Sequence, residues 1–206
     1  MDVGEKFSFS RGDRLWAKGA ASDELVAVCT GALGLRRGEG GRARLVQILL
    51  RGDLVGEEAA VGGARPAACV ALTAGKACRV PRASLSRTLL VAPRGWQTLL
   101  EVSGERVASF ASRLEVANGA PVAARLALLL ADLGHRIGLA DARGLLIPLR
   151  LGRQDLADVI GCREETVVRT MRLWDDDGLV STLREGFILR QPDALRTLIS
   201  GASTTS

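Results

Sequence analysis

Residues 153–174, RQDLADVIGCREETVVRTMRLW, carry the side chains best placed for chemistry, and that chemistry is the reading of base edges rather than bond making. Leu156, Ala157 and Ile160 form one apolar stripe at helical spacing. Gly161 then stops the helix, because glycine accepts the left-handed conformation that a tight helix exit needs. The next helix is expected to bury Val167, Thr170, Met171 and Trp174, spaced i, i+3, i+4, i+7. That leaves Glu164, Glu165, Val168, Arg169 and Arg172 on the opposite face. A helix lying in a DNA major groove needs such a face, with a carboxylate for cytosine N4 and an arginine for guanine O6 and N7. Spacing alone also admits an ordinary amphipathic hairpin with a solvated charged face.

Residues 152–169, GRQDLADVIGCREETVVR, resemble the C-terminal signature of the CRP/FNR family of bacterial transcription factors. The likeness continues through DDDGLV at 175–180 into an expected β-wing at 181–190, centred on Arg184, Glu185 and Gly186. It also reaches back over the N-terminal half. There RGD (11–13), Gly19, CTG (29–31), RGDLVGEE (51–58) and ARPAA (64–68) fall at the intervals of that family's β-roll. The resemblance spans nearly the whole chain and joins two unrelated motif sets in the family's order.

The elements that must position these motifs have their own signals. Residues 5–90 read as short strands punctuated by glycine turns every 8–12 residues, which suggests a β-barrel or sandwich. The resemblance narrows this to an antiparallel β-roll of the cyclic-nucleotide-binding type. Pro93 is expected to open a helix that runs to about residue 118. Along it Trp96, Leu100, Ser103, Val107, Phe110, Leu114 and Ala117 alternate by four and three, and six of the seven are apolar. A 3.5-residue repeat keeps a seam facing a second helix, so Trp96, Leu100, Val107, Phe110 and Leu114 read as a dimer seam; the alternative is a lone helix lying on the roll. Residues 118–120 would be a hinge, 121–137 a second helix and 145–151 a strand. The fold class is therefore α+β, with a β-roll over 1–92, a coiled-coil dimerisation helix and hinge over 93–120, and a winged helix-turn-helix over 121–206.

What the resemblance implies for single residues is mixed. Glu165 and Arg169 match two base-reading positions, for cytosine and guanine respectively. Glu164 stands where the family's cyclic-AMP receptor has a base-reading arginine, and Val168 replaces a small residue and is placed to meet a thymine methyl. Gln154 and Thr166 by match, with Arg153 and Arg163, are expected phosphate contacts. Gly152 stands at the usual threonine N-cap. In the expected ligand pocket, Gly56, Glu57 and Arg65 keep the family's interval, for the ribose hydroxyl and the cyclic phosphate. Pro66, however, removes a hydroxyl and a backbone N–H. Phe110 falls where adenine would be met, and Arg65 and Glu57 are free to pair with each other or to be solvated loop residues. The pocket reads as degenerate.

Composition sets limits. The 206 residues are 47% hydrophobic, with no apolar run long enough to span a membrane. No secretory signal is read in the polar N-terminus, so a cytoplasmic protein is expected. Residues 1–120 carry 17 Lys and Arg against 12 Asp and Glu, whereas 121–206 carry 11 against 11, so attraction to phosphate must come from local arrangement. Cys29, Cys69, Cys78 and Cys162 lack a C-x-x-C pair and read as reduced packing thiols; Cys69 and Cys78 remain a redox candidate only if their strands pair. The single histidine, His135, cannot build a metal-dependent cupin site, and no nucleophile elbow or P-loop is present. The expectation is a non-enzymatic regulator with no cofactor, whose partners are double-stranded DNA, RNA polymerase and a second copy of itself. The alternatives are a cyclic-nucleotide-gated regulator and a ligand-binding module with degenerate DNA binding.

Overall fold

The repeated Arg-Gly-Asp triplets are turn-makers. In the computed structural model, which describes all residues except 1–3, 39, 41–42, 92–93, 99, 105–106, 109–119 and 203–206, Asp13 accepts from the backbone N–H of Ser10 and Asp53 from that of Leu50, each at 2.7 Å. Each aspartate's own N–H donates back to the same partner's carbonyl at 3.0 Å. A carboxylate that closes its own turn favours a tight reversal. The first turn joins β1 (Glu5–Phe9) to β2 (Arg14–Trp16), and the second joins β5 (Arg44–Leu49) to β6 (Leu54–Val55).

With β3 (Glu24–Thr30), β4 (Leu33–Arg37), β7 (Ala68–Ala71) and β8 (Gly75–Pro81), these strands form two antiparallel sheets, ordered β1-β8-β3-β6 and β2-β7-β4-β5. Phe9, Val26, Val28, Val55 and Ala77 of the first meet Trp16, Leu33, Leu49, Cys69 and Ala71 of the second in one buried cluster. β3 is covered on both faces. Val26 and Val28 point into that cluster, while Leu25 packs with Ala59, Leu85 and Leu89 beneath α1 (Arg82–Val91). The helical region thus begins at Arg82, ahead of the expected start at Pro93, and residues 94–98, 100–104 and 107–108 are also helical. Phe110, Leu114 and residues 118–119 of the expected hinge lie outside the described residues.

The chain divides into two compact units, Met1–Phe110 and Ala111–Ser206. In the second, α2 (Val122–Ile137) follows Pro121 at its N-cap and buries Leu126, Leu130 and Leu133. Two hairpins make a sheet ordered β11-β12-β10-β9, from β9 (Leu139–Asp141), β10 (Gly144–Ile147), β11 (Val180–Thr182) and β12 (Phe187–Leu189). The strand expected over 145–151 is therefore shorter and starts a residue earlier, with a partner that the sequence reading missed. Also unassigned there was α5 (Pro192–Ala202), which packs on α2. The architecture is α+β: an antiparallel β-roll with helices, then a winged helix-turn-helix.

Cys69 and Cys78 sit in different sheets, on β7 and β8, so the pairing that a redox role required is not formed. Burial pushes the Cys69 thiol up to about 12, against a smaller opposing pull from Arg65. A thiol raised above its unfolded value of about 8.5 contributes stability in full below that pH, and loses it as pH rises toward the folded value. Alkylation of the native protein near pH 8.5, read by peptide mass spectrometry, should leave Cys69 untouched until denaturant is added. Rapid labelling of native Cys69 would contradict this packing.

Candidate nucleic-acid interface

The first helix of the pair starts at a weak cap and ends at a left-handed glycine. Gly152 has no side chain to cap α3 (Arg153–Ile160), but Asp155 reaches back to accept from the Gly152 N–H at 3.3 Å, half of a capping box. At the other end Gly161 takes φ 68°, ψ 51°, the left-handed conformation. The N–H groups of Gly161 and Cys162 both donate to the Ala157 carbonyl. Arg163, extended at φ −83°, ψ 146°, then leads into α4 (Glu164–Asp176). Burial raises the Cys162 thiol, with Arg125 pulling it back down.

The back of α4 is held by Val167, Met171 and Trp174, all buried. Thr170, expected in that stripe, is only half-buried, since its hydroxyl donates to the Thr166 carbonyl at 2.9 Å and stays at the margin. On the front, Glu164, Glu165, Val168, Arg169 and Arg172 line one shallow, open depression. Val168 is 46% exposed among these charges. The two glutamates occupy the first turn, where the helix N-terminus favours negative charge. Carboxylates, an apolar contact and guanidinium groups thus share one surface, as base-edge reading requires.

The expected phosphate contacts are less uniform. Arg163 and Arg172 are exposed and Thr166 is half-buried. Gln154 donates to Asp158 at 2.7 Å, one turn along an exposed face. Arg153 is tied into the wing, donating to the Thr182 hydroxyl at 2.7 Å with its guanidinium 6.0 Å from the Phe187 ring. Burial lowers the Arg153 pKa against an opposing pull from Asp175. The wing turn exposes Arg184 and Glu185, closed by the Leu183 N–H donating to the Gly186 carbonyl at 2.8 Å.

Two structural devices were absent from the sequence reading. Buried Ser181 donates to Asp175 at 2.6 Å and accepts from Arg190 at 2.9 Å, stitching the end of α4 to the wing. Arg125, on α2, donates to the carbonyls of Ile160 and Gly161 at 2.7 and 3.2 Å. Its signal in the sequence is a lone arginine in the apolar run VAARLALLL.

In the first unit, Gly56 adopts φ 91° before a 3₁₀ turn over Glu57–Ala60. A Cβ there would collide with the Arg65 guanidinium and fall 2.8 Å from the Glu24 carbonyl, and the positive φ itself favours glycine. Arg65 is 3% exposed. It pairs with Glu58 at 3.1 Å, donates to the Glu24 carbonyl at 2.7 Å and stacks 4.0 Å from the Trp16 ring. The anticipated Arg65–Glu57 pair is thus an Arg65–Glu58 pair. In a 3₁₀ turn each side chain is rotated about 120° from the last, so neighbouring glutamates point different ways. Pro66 follows with no N–H to offer.

Among the described residues no group of three or more His, Cys, Asp or Glu is arranged to hold a metal ion. No described helix is long and apolar enough to cross a membrane. His135 is exposed on α2.

Residues 6–90 match the cyclic nucleotide-binding domain family, and residues 124–198 match the Crp-like helix-turn-helix domain family. The chain is 26% identical over 165 residues to a CRP-like cAMP-activated global transcriptional regulator of Mycobacterium tuberculosis, covering 79% of this chain and 74% of that protein. To the nitrogen fixation regulation protein FixK of Bradyrhizobium diazoefficiens it is 24% identical over 199 residues, covering 95% and 82%. Among solved structures it resembles FixK2 of Bradyrhizobium japonicum, with a TM-score of 0.81 at 22% identity over 95% of this chain and 97% of that one. A CRP/FNR-family regulator from Thermus thermophilus gives a TM-score of 0.80 at 20% identity, over 96% and 100%.

Proposed function

The chain belongs to the CRP/FNR family of transcription regulators, which are not enzymes, and from that premise we propose that it binds a pseudo-palindromic promoter site as a homodimer, without cyclic AMP. The observation that carries the reading is the front of α4. Glu165, Val168, Arg169 and Arg172 lie open on one surface while Val167, Met171 and Trp174 anchor its back. Glu165 accepts from a cytosine amino group, Arg169 donates to a guanine, and Val168 meets a thymine methyl between them. Glu164, a carboxylate at the outer edge, disfavours guanine there. Arg163, Thr166, Gln154 and the wing's Arg184 contact phosphate, while Arg153 supports the wing from within. Bound in the cytoplasm, such a dimer acts by recruiting or blocking RNA polymerase.

The dimer reading rests on the helical segment after α1. Trp96, Leu100 and Val107 share the heptad seam and are 43%, 68% and 68% exposed in the single chain. Large apolar side chains at that spacing are what a second helix covers. Phe110 and Leu114 continue the repeat beyond the described residues.

Independence from cyclic AMP is supported by Arg65. The group that would meet a cyclic phosphate already has an anion, a carbonyl and an aromatic face as neighbours, inside the protein. A nucleotide would have to draw the buried guanidinium away from the partly exposed Glu58, the Glu24 carbonyl and the Trp16 ring. Pro66 and Phe110 remove two further polar contacts. The second reading, a cyclic-nucleotide-gated regulator, is favoured by the match over residues 6–90 and by the cAMP-activated relative.

Two measurements test these assignments. Arg169→Ala should cost about 1–3 kcal/mol on a duplex selected by the wild-type protein, while leaving affinity for random duplex nearly unchanged. Equal loss on both would make Arg169 a phosphate anchor only. Titration calorimetry with millimolar cyclic AMP should give no binding heat, and the nucleotide should leave affinity for the selected duplex unaltered. A tenfold gain, about 1.4 kcal/mol of coupling, would establish the gated alternative.

A further inference from the structure

The helix-turn-helix depends on a glycine whose conformation allows the turn but does little to hold it. Gly161 is left-handed and lacks the Cβ that would narrow its backbone motion. Only residues 161–163 join α3 to α4, so a change at this turn swings Glu165 and Arg169 as one body. The N–H groups of Gly161 and Cys162 are satisfied internally, both donating to the Ala157 carbonyl. The turn's carbonyls are held from outside. Arg125 Nη1, on α2, donates to Ile160 O at 2.7 Å and to Gly161 O at 3.2 Å.

The chemistry of that contact is specific. Carbonyls at the end of a helix lack intrahelical donors and carry partial negative charge, which suits a cation. The guanidinium is half-buried, and its Nε has no hydrogen-bond partner among the described residues. Burying an N–H unmatched is unfavourable, so the side chain is not placed here for its own solvation. It is held by the two carbonyls of the turn. α2 also packs against α3, α4 and α5, so the restraint refers the turn to the body of the unit.

We propose that Arg125 is a positioning residue for sequence reading, which sets the aim of Glu165 and Arg169 through the Gly161 turn without contacting the duplex. The proposal rests on the DNA-binding reading above. The test uses the full-length protein and a duplex that the wild type selects from a randomised pool, beside a scrambled duplex of the same composition. Arg125→Met keeps the apolar stem and removes the donors, whereas Arg125→Lys restores one charged nitrogen able to serve both carbonyls. Arg125→Met should lose about tenfold affinity or more on the selected duplex and almost none on the scrambled one, and Arg125→Lys should recover most of the ratio. Melting curves establish that each variant is folded at the assay temperature. Should Arg125→Met unfold, Arg125→Gln, which retains one neutral donor, must show the same selective loss. An unchanged ratio in the folded variant overturns the proposal, and equal loss on both duplexes makes Arg125 a phosphate contact instead. Failure of the wild type to select any duplex would instead defeat the DNA-binding reading itself.

Discussion

A helix can present five polar or exposed side chains on one face only if its back and its entry are both fixed, and in this chain the entry is fixed at the Gly161 turn and the back by the apolar residues that follow it. Burial of Val167, Met171 and Trp174 sets the rotation of α4 about its axis. The left-handed glycine permits the direction in which the helix departs, and Arg125 holds the turn's carbonyls from α2. The far end is tied down by Asp175, Ser181 and Arg190, a polar chain whose middle member is buried and therefore costly to leave unsatisfied. Between these anchors Glu164, Glu165, Val168, Arg169 and Arg172 lie on the open face of the helix. On the proposed reading, that is the face the base pairs meet.

The first unit applies the same physics to a cation. An arginine withdrawn from water needs an anion, hydrogen-bond acceptors or an aromatic face, and Arg65 has all three. Gly56 completes the arrangement, since any Cβ there would collide with the guanidinium. A glycine and an arginine at the interval of a nucleotide pocket are thus compatible with a wholly structural role. The motif's residues are the same in either role; what differs is whether the guanidinium is left unclaimed for a ligand. On the proposed reading, this internal pairing is why the protein needs no cyclic AMP.

Much of this was legible from residue order, because the relevant signals are periodic or depend on one special residue. The stripe of Leu156, Ala157 and Ile160, the stop at Gly161 and the charged face of α4 follow from helical spacing and glycine's permissiveness. Short elements were harder to read. α1 shows only Leu85 and Leu89 to its cluster, a single i, i+4 pair too brief to register as a stripe. β9 and β10 have three and four residues, below the length at which alternation is distinctive. The partners of Arg65, Arg125 and Arg153 were beyond reach for a different reason. Arginine reaches acceptors remote in sequence, and here they lie 7 to 41 positions away. The choice of Glu58 over Glu57 turns on the local 3₁₀ geometry after Gly56, which one-dimensional spacing does not encode.

On the proposed reading, the ligand-free protein reads DNA with two copies of α4 placed by a dimer. Hydroxyl-radical and major-groove methylation footprinting of the protein on its selected duplex, with no nucleotide added, tests this directly. Two equivalent protected half-sites are expected, with guanine N7 shielded in each and their centres about 10–10.5 base pairs apart on one face of the helix. A single protected half-site, protection without shielded guanine, or a footprint that forms only after cyclic AMP is added would contradict it.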